Sequence, residues 1–403
     1  MAEEEPTYVV KRGRGCKEES FHDIRESFQT LLSTSLNIST LIGSGASVPG
    51  IPLMGSTFEK LKGAGEPSKS SQKLLSVLSK YEKARGISAG AANDIEDFLS
   101  WMNSYLEVQP RSRKYASVRK HVLEEFRKSI DVDYAGSDVA ARTLENYLNF
   151  VQGLGYSRQV LAQSKSPMFD VVNMFTTNYD LFHELAITKS GYQYTDGFTN
   201  GIECRFSTRE FHQRPIDLED RFREHLQPIN PFFRVFKLHG SIDWVMDEES
   251  HNISRLPLAA LAKRDVASDN LLIMPTSSKY AVTQGSPFSD LFREFFNAIS
   301  VPNSILITSG FSFGDQHISE LIEQALMRTD FTLYAFISRR SGDARNPAQD
   351  FADRNAMQNA VFIYPVDSSA HEFFDFGDVA RIVKPEEGMI GLGEEGEDED
   401  ADS

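Results

Sequence analysis

The sequence predicts an α/β protein in which a Rossmann-like, doubly wound parallel sheet carries an inserted all-helical module and a disordered acidic C-terminal tail. Two observations support this fold class. Short apolar runs recur along the chain between helical segments, and one long stretch shows helical periodicity without strand signals. The runs are continuously apolar rather than alternating, which indicates strands buried on both faces by covering helices.

The chain divides into four kinds of segment. Residues 57–166 form the expected helical insertion module, and the strand-bearing segments 19–56 and 167–385 on either side of it form one Rossmann-like domain. Residues 1–18 are expected to be a flexible N-terminal arm. Residues 386–403 contain nine carboxylates and are expected to be a solvated, disordered tail.

Each strand is inferred from a short apolar run, and each helix from apolar residues three or four positions apart. A helix at 21–36 leads into the first strand, at 40–42, and Gly-Ile-Pro at 50–52 prevents a long helix directly afterwards. Further strands are expected at 171–175, 233–238, 271–274, 305–308, 333–337 and 361–364, with helices at 181–188, 289–298 and 320–327.

Composition restricts the class of protein. The 403 residues are 40% hydrophobic and 25% charged, no apolar run reaches the length of a membrane span, and the acidic start does not resemble a signal peptide. We therefore expect a cytoplasmic protein that does not bind membranes. The formal charge of −16 argues against direct nucleic-acid binding by this chain. Cys16 and Cys204 are too few for a four-cysteine zinc site, so no structural zinc is expected.

A glycine-rich turn follows the first strand. Glycines tolerate unusual backbone conformations and leave room for a ligand, so a turn followed by a helical segment can present backbone N–H groups to a nucleotide diphosphate. A tight turn between a strand and a helix is the alternative interpretation. The residues of this expected diphosphate site are Gly43, Ser44, Gly45, Ala46 and Ser47.

Polar or small residues also follow four later strands, at 176–180, 239–241, 275–280 and 309–315. The carboxyl ends of parallel strands share one edge of the sheet, so these clusters should converge on one cleft. Each has a simpler explanation by itself: Asn178 or Asp180 could cap a helix, and His239 could be a histidine without a catalytic role. One common site explains all of them together.

The ordered motifs resemble those of bacterial sirtuin-like NADases. They are Gly-Ser-Gly-Ala-Ser with Gly-Ile-Pro, Phe-Thr-Thr-Asn-Tyr-Asp, Lys-Leu-His-Gly-Ser and Gly-Phe-Ser-Phe-Gly-Asp, and they extend from about residue 41 to 315. The resemblance implies NAD as the substrate. It implies that Asn178 holds a ribose hydroxyl or the attacking water, that Asp180 binds the nicotinamide carboxamide, and that His239 accepts a proton. The implied NAD-binding residues beyond the glycine turn are Thr177, Ser309, Gly310 and Ser312.

Two departures from the sirtuin deacylase pattern favour water as the acceptor. Deacylases carry a four-cysteine zinc module that helps to form the acyl-lysine groove, and this chain has two cysteines. The Asp-Phe-Arg that follows Gly-Ile-Pro in deacylases is replaced by Leu53-Met54-Gly55. The expected reaction is therefore hydrolysis of NAD⁺ to nicotinamide and ADP-ribose.

The resemblance also implies a biological setting. Proteins of this type resemble the NADase subunit of bacterial antiphage systems, where the partner is a HerA-type hexameric ATPase. Depletion of NAD⁺ in antiviral defence, a homo-oligomer and a complex with such an ATPase are the resulting expectations.

The sequence also fits other functions. The chain could be an ADP-ribosyl transferase or deacylase, which would need a protein substrate, or a non-catalytic NAD-binding sensor. A metal-dependent nuclease is poorly supported, because its best carboxylates, Asp94, Glu96 and Asp97, are explained by the solvated face of an amphipathic helix.

Overall fold

A computed structural model provides the structure of the chain, with side chains. It describes residues 7–35, 37–63, 69–134, 136–164, 171–222, 225–247, 252–261, 271–273, 286–339, 346–366 and 376–385. The expected tail at 386–403 and the polar cluster at 275–280 lie outside these residues.

A nine-stranded sheet forms the centre of the protein, in the order β2-β1-β14-β13-β12-β3-β4-β8-β5. From β14 to β5 the adjacent strands are parallel to one another. The run β8-β4-β3-β12-β13-β14 has the strand order of a Rossmann fold, in which the chain reverses direction across the sheet between β3 and β12. The nine strands are β1 (Thr7–Arg12), β2 (Gly15–Ser20), β3 (Asn37–Ile42), β4 (Val171–Thr176), β5 (Gln193–Thr195), β8 (Phe232–Lys237), β12 (Ser304–Ser309), β13 (Phe331–Phe336) and β14 (Ala360–Pro365).

Helices cover both faces of this sheet, which confirms the doubly wound α/β prediction. On β3, for example, Ile38 and Ile42 belong to the core under one helical layer and Leu41 to the core under the other. The layers comprise α1 (Phe21–Thr34), α6 (Asp138–Ser164), α7 (Phe182–Lys189) and α12 (Phe376–Val383) on one face, and α9 (Phe288–Ser300), α10 (Gln316–Leu326) and α11 (Pro347–Arg354) on the other.

The helical module is smaller than the sequence predicts. Helices α2 (Met54–Gly63), α3 (Lys69–Arg85), α4 (Ile95–Val108) and α5 (Arg113–Ile130) pack on one another. Helix α6, expected to belong to the module, packs instead against α1, α7 and α12. Gly153 and Gly155 permit this approach, because a Cβ at either position would collide with the backbone at Val383 or the ring of Tyr192.

The prediction of a flexible arm over 1–18 is wrong for residues 7–18. These residues form a hairpin through a turn at Gly13, which has a φ of 59°, and β1 adds antiparallel to β14. Tyr8 is buried and its hydroxyl donates to Asp378 at 2.9 Å. The composition of this segment does not indicate a strand. The segment is ordered because it pairs with β14, which lies near the other end of the chain.

One predicted strand belongs to a different sheet. β11 (Leu271–Ile273) pairs antiparallel with β9 (Gly240–Met246), which also pairs with β10 (Ile253–Arg255). The remaining elements are the hairpin of β6 (Ile216–Phe222) and β7 (His225–Pro228) and the short helix α8 (Leu258–Leu261). Among the described helices, none combines the length and apolar character needed to cross a membrane.

Candidate functional site

Two loops meet where the strand order reverses, one after β3 and one after β12. Gly43 donates its N–H to the Ser309 carbonyl at 2.9 Å, and Gly45 donates to the Gly310 carbonyl at 3.0 Å. Gly310 has a φ of 64°, a conformation that favours glycine. The two loops are therefore locked together by their backbones at the position where open α/β sheets bind ligands.

The glycines have a structural role that the sequence analysis did not assign. A Cβ on Gly43 would collide with the backbone of Gly310 and Phe311, and a Cβ on Gly310 would collide with the Ala46 amide. The N–H of Ala46 is also used, because it donates to the Gly43 carbonyl at 3.1 Å. The turn is thus built for contact with the second loop, and the amides of Gly43, Gly45 and Ala46 are engaged within the protein.

A cavity of about 720 Å³ opens beside these loops. Its volume lies within the roughly 300–1,000 Å³ range of small-molecule sites. Nine of the predicted site residues line it, which places the ends of β3, β4, β8 and β12 around one space. They are Gly43, Ser44, Ser47, Thr177, Asn178, Asp180, His239, Gly310 and Ser312. The other three predicted residues, Gly45, Ala46 and Ser309, do not line the cavity.

Ser47 is the centre of a buried hydrogen-bond network at one end of the cavity. Its hydroxyl donates to Asp180 Oδ2 at 2.7 Å and accepts from Asn178 Nδ2 at 3.0 Å. Its Oγ also lies 2.9 Å from the hydroxyl of Tyr147, a residue of α6 that the sequence analysis missed. Burial raises the pKa of Tyr147 well above its usual value, so its hydroxyl keeps its proton.

Asn178 and Asp180 are both held by the strand ends around them. Asn178 Nδ2 also donates to the Gly43 carbonyl at 3.0 Å, while Asn178 Oδ1 is buried and has no protein partner among the described residues. Asp180 Oδ1 accepts from the Phe182 N–H at 3.1 Å, at the start of α7. Burial raises the pKa of Asp180, against the lowering effects of Lys237 and Ser47. Asp180 therefore binds the first N–H of α7 but is not its N-cap, which is Leu181, and it also lines the cavity.

The buried side chain of Lys237 contacts the backbone of the segment that carries Asn178 and Asp180. Lys237, at the end of β8, is 1% exposed, donates to the Asp180 carbonyl and lies 3.1 Å from Glu184 Oε1. Burial and the nearby Lys237 lower the pKa of His183 to about 3, so this histidine is neutral. The position of the Asn178–Asp180 segment thus depends on a charge pair inside the protein.

His239 lies on another wall of the cavity and interacts with a carboxylate. Its Nε2 is 3.1 Å from Asp315 Oδ2; the His239 side chain is buried and that of Asp315 is largely buried. Asp315 also caps α10, since Oδ1 accepts from the N–H groups of His317 and Ile318. Asp315 lies in the polar cluster at 309–315 predicted from the sequence, and no sequence pattern links it to His239.

The helical module supplies a further wall, which corrects the interpretation of its acidic residues. Asp94 and Glu96 line the cavity together with Phe126 of α5, so these two carboxylates are not simply part of a solvated face. Asp97 points away, toward the Tyr81 hydroxyl and Arg85. Among the described residues that line the cavity there are several carboxylates and no lysine or arginine.

Metal binding has no candidate cluster within the described part of the chain. No group of three His, Cys, Asp or Glu side chains there is placed to hold an ion. Cys16 and Cys204 are both free thiols.

Residues 172–360 match the family described as the SIR2-like domain. The matched SIR2-like segment contains Asn178, Asp180 and His239, and its presence supports an NAD-dependent enzyme activity in general. None of the curated proteins matches the chain.

Solved structures of sirtuins resemble the chain over most of its length. A structure of Sir2Tm bound to a propionylated peptide is 14% identical, covers 89% of this chain and 96% of its own, and has a TM-score of 0.38. A sirtuin structure that describes the structural basis of substrate affinity is 16% identical. The match covers 89% of this chain and 97% of that one, with a TM-score of 0.38. A third, on the mechanism and regulation of Sir2 enzymes, is 12% identical, covers 89% and 94%, and has a TM-score of 0.39.

Proposed function

We propose that the protein is an NAD⁺ glycohydrolase that cleaves the nicotinamide N-glycosidic bond. The observation that carries this proposal is that Asn178 and His239 line one cavity where the strand order reverses, although they come from different strands. The cavity has a suitable size, and the buried Asn178 Oδ1 offers an acceptor for a substrate hydroxyl. These features fit NAD⁺ as the substrate.

The proposed reaction needs a nucleophile and a base. The bond from ribose C1′ to the pyridinium nitrogen breaks, and its electron pair neutralises the nitrogen, so nicotinamide leaves without a general acid. Water attacks C1′ through an oxocarbenium-like transition state, as in other glycosidic cleavages. Asn178 positions the water or a ribose hydroxyl, His239 accepts the released proton, and Asp180 binds the carboxamide.

The carboxylates of the cavity suit this chemistry. Asp94, Glu96 and Asp180 face a space in which positive charge is present on the pyridinium ring and then develops at C1′. Negative side chains in a partly enclosed site stabilise such charge. Water is proposed as the acceptor because the two cysteines cannot form the zinc module of a deacylase.

A time course of NAD⁺ with purified protein, followed by chromatography and mass spectrometry, tests the proposal. Release of nicotinamide and ADP-ribose in equal amounts is the expected result. Saturable NAD⁺ binding without release would support a sensor, and turnover that requires an added protein would support a transferase or deacylase. Either outcome would overturn the glycohydrolase.

We further propose that this activity depletes NAD⁺ in antiphage defence, as a cytoplasmic homo-oligomer in complex with a HerA-type ATPase. Uncontrolled NAD⁺ hydrolysis would harm the cell, so a regulating partner is expected. Size-exclusion chromatography with light scattering, of the chain alone and mixed with an ATPase encoded by a neighbouring gene, tests the assembly. A monomer that does not bind the ATPase would contradict it.

A further inference from the structure

Asp315 uses its two carboxylate oxygens for different partners. Oδ1 accepts from the His317 N–H at 3.1 Å and the Ile318 N–H at 3.3 Å, at the N-terminus of α10. Oδ2 lies 3.1 Å from His239 Nε2. The bonds at Oδ1 fix the orientation of the carboxylate, and the positive end of the helix dipole favours its ionised form.

The orientation of the carboxylate determines which nitrogen of His239 carries hydrogen. An ionised carboxylate only accepts hydrogen bonds, so Nε2 must donate and therefore carries the hydrogen. In the neutral imidazole the lone pair is then on Nδ1. The His239 and Asp315 side chains are 6% and 9% exposed, so the interaction is little weakened by solvent.

We propose that Asp315 is the positioning residue of His239: it holds the imidazole in the Nε2–H tautomer and stabilises the imidazolium that forms when Nδ1 takes a proton. This inference rests on the proposed glycohydrolase activity for its consequence in turnover. The pairing itself rests on the contacts between the two side chains.

Other titratable groups face the same cavity and set the background charge around His239. They are Asp94 at the N-cap of α4 and Glu96 within it, Tyr179 and Asp180 from the segment after β4, and His317 and Glu320 from α10. Asp315 differs from these groups in that its carboxylate is hydrogen-bonded to the imidazole.

The Asp315→Asn substitution isolates the charge of Asp315 from its capping role. Asn346 caps α11 in the same way, with Oδ1 accepting from the Ala348 and Gln349 N–H groups at 3.1 and 3.2 Å. An asparagine at 315 can therefore cap α10 while it removes the negative charge near His239.

The experiment measures the pKa of His239 in the full chain by NMR of ¹⁵N-labelled histidine, with His239→Gln to identify its resonances. Asp315→Asn is expected to lower this pKa by about one pH unit or more, because the imidazolium loses its carboxylate. The kcat for nicotinamide release should fall by about 100-fold with little change in KM. The acid limb of the pH profile should move to lower pH.

The outcomes separate this inference from the proposed function. A wild-type chain that releases no nicotinamide would overturn the hydrolase, and the NMR titration would still test the pair. An unchanged His239 pKa in folded Asp315→Asn protein would overturn the pair, whether or not turnover falls. Asp315→Ser retains a capping oxygen but is too short to reach His239, and should reproduce the Asp315→Asn result.

Discussion

The hydroxyl of Tyr147 lies 2.9 Å from Ser47 Oγ and thereby joins helix α6 to the glycine turn. The same hydroxyl accepts from Asn178 Nδ2 at 3.3 Å. One residue of a long helix therefore connects two parts of the proposed site.

Replacement of Tyr147 by phenylalanine should weaken this connection. Removing the hydroxyl leaves the ring packing in place but deprives Ser47 and Asn178 of a partner, so kcat/KM should fall about fivefold, equivalent to about 1 kcal/mol. Tyr81→Phe is the control, because the Tyr81 hydroxyl is also hydrogen-bonded to a side chain, that of Asp97, but does not line the cavity. Equal kcat/KM in the two variants would refute a positioning role for Tyr147.

Removal of Asn178 or His239 should abolish most of the activity. Asn178→Ala removes the amide that positions water or ribose, and His239→Ala removes the base, so each should lower kcat by about 100-fold or more. His212→Ala is the control, since His212 is 61% exposed and pairs with Glu294 outside the cavity. Nicotinamide release at the wild-type rate in either test variant would contradict the assignment.

The Gly310→Ala substitution measures how much the close contact between the two glycine loops contributes to stability. The new Cβ would meet the Ala46 amide, so we expect a loss of about 2–4 kcal/mol in the free energy of unfolding and a loss of NAD⁺ binding. Gly86→Ala is the control, because Gly86 has a φ of 69° but open space around it, and should cost only about 1–2 kcal/mol. Similar urea midpoints for both variants would show that separating the two loops does not lower the free energy of unfolding.

The buried pair of Lys237 and Glu184 should be necessary for stability. Lys237→Met leaves Glu184 without its partner and the Asp180 carbonyl without a donor, which should cost about 3–5 kcal/mol in urea unfolding. The double variant Lys237→Met/Glu184→Gln should recover part of this loss because no unpaired charge remains. A double variant no more stable than the single one would argue that the charge of Glu184 is not the cause.

Asp243 should make stability depend on pH. Burial raises the pKa of Asp243 to about 6 in the folded state, from 3.8, although Lys237 acts in the opposite direction. Because the folded-state pKa is the higher one, protonated Asp243 favours folding below about pH 4, and this contribution is lost as the pH rises through 6. In thermal melts, the melting temperature of Asp243→Asn should therefore be higher than that of wild type at pH 7 and close to it at pH 4.

The partly exposed residue Asp330 provides a comparison of opposite sign. Its hydrogen bond to Arg328 lowers its pKa, so its contribution is present above the unfolded-state pKa and is lost as the pH falls. Asp330→Asn should therefore lower stability slightly at pH 7 and have no effect at low pH. If the stability of Asp243→Asn and of Asp330→Asn relative to wild type changed with pH in the same direction, the causes assigned to the two pKa shifts would be wrong.

The sheet was predictable because its strands are local apolar runs. Residues 171–175 and 305–308, for example, were predicted as strands and lie within β4 and β12. The pairing of β1 with β14, and the antiparallel pairing of β11 with β9, were not predictable, because a strand's sheet is chosen by partners distant in sequence. The same reason explains the placement of α6 in the layer over the sheet.

The sequence predicts which strand ends contribute residues to the site. It does not predict the side-chain contacts between those residues. Asn178 and His239 stand out because polar residues directly after an apolar strand are conspicuous. Tyr147 does not, because it follows Leu144 at helical spacing and resembles an ordinary core residue of α6. The link between His239 and Asp315 joins two separate clusters and depends on the three-dimensional arrangement of β8 and β12.

The walls of the cavity come from helices α2–α5 and from the strand ends of the sheet, and buried residues of both parts belong to one hydrophobic core. The ring of Phe126 in α5 meets that of Tyr179, directly after Asn178, at 5.9 Å between centroids. The shape of the site therefore depends on helices that carry none of the proposed catalytic residues.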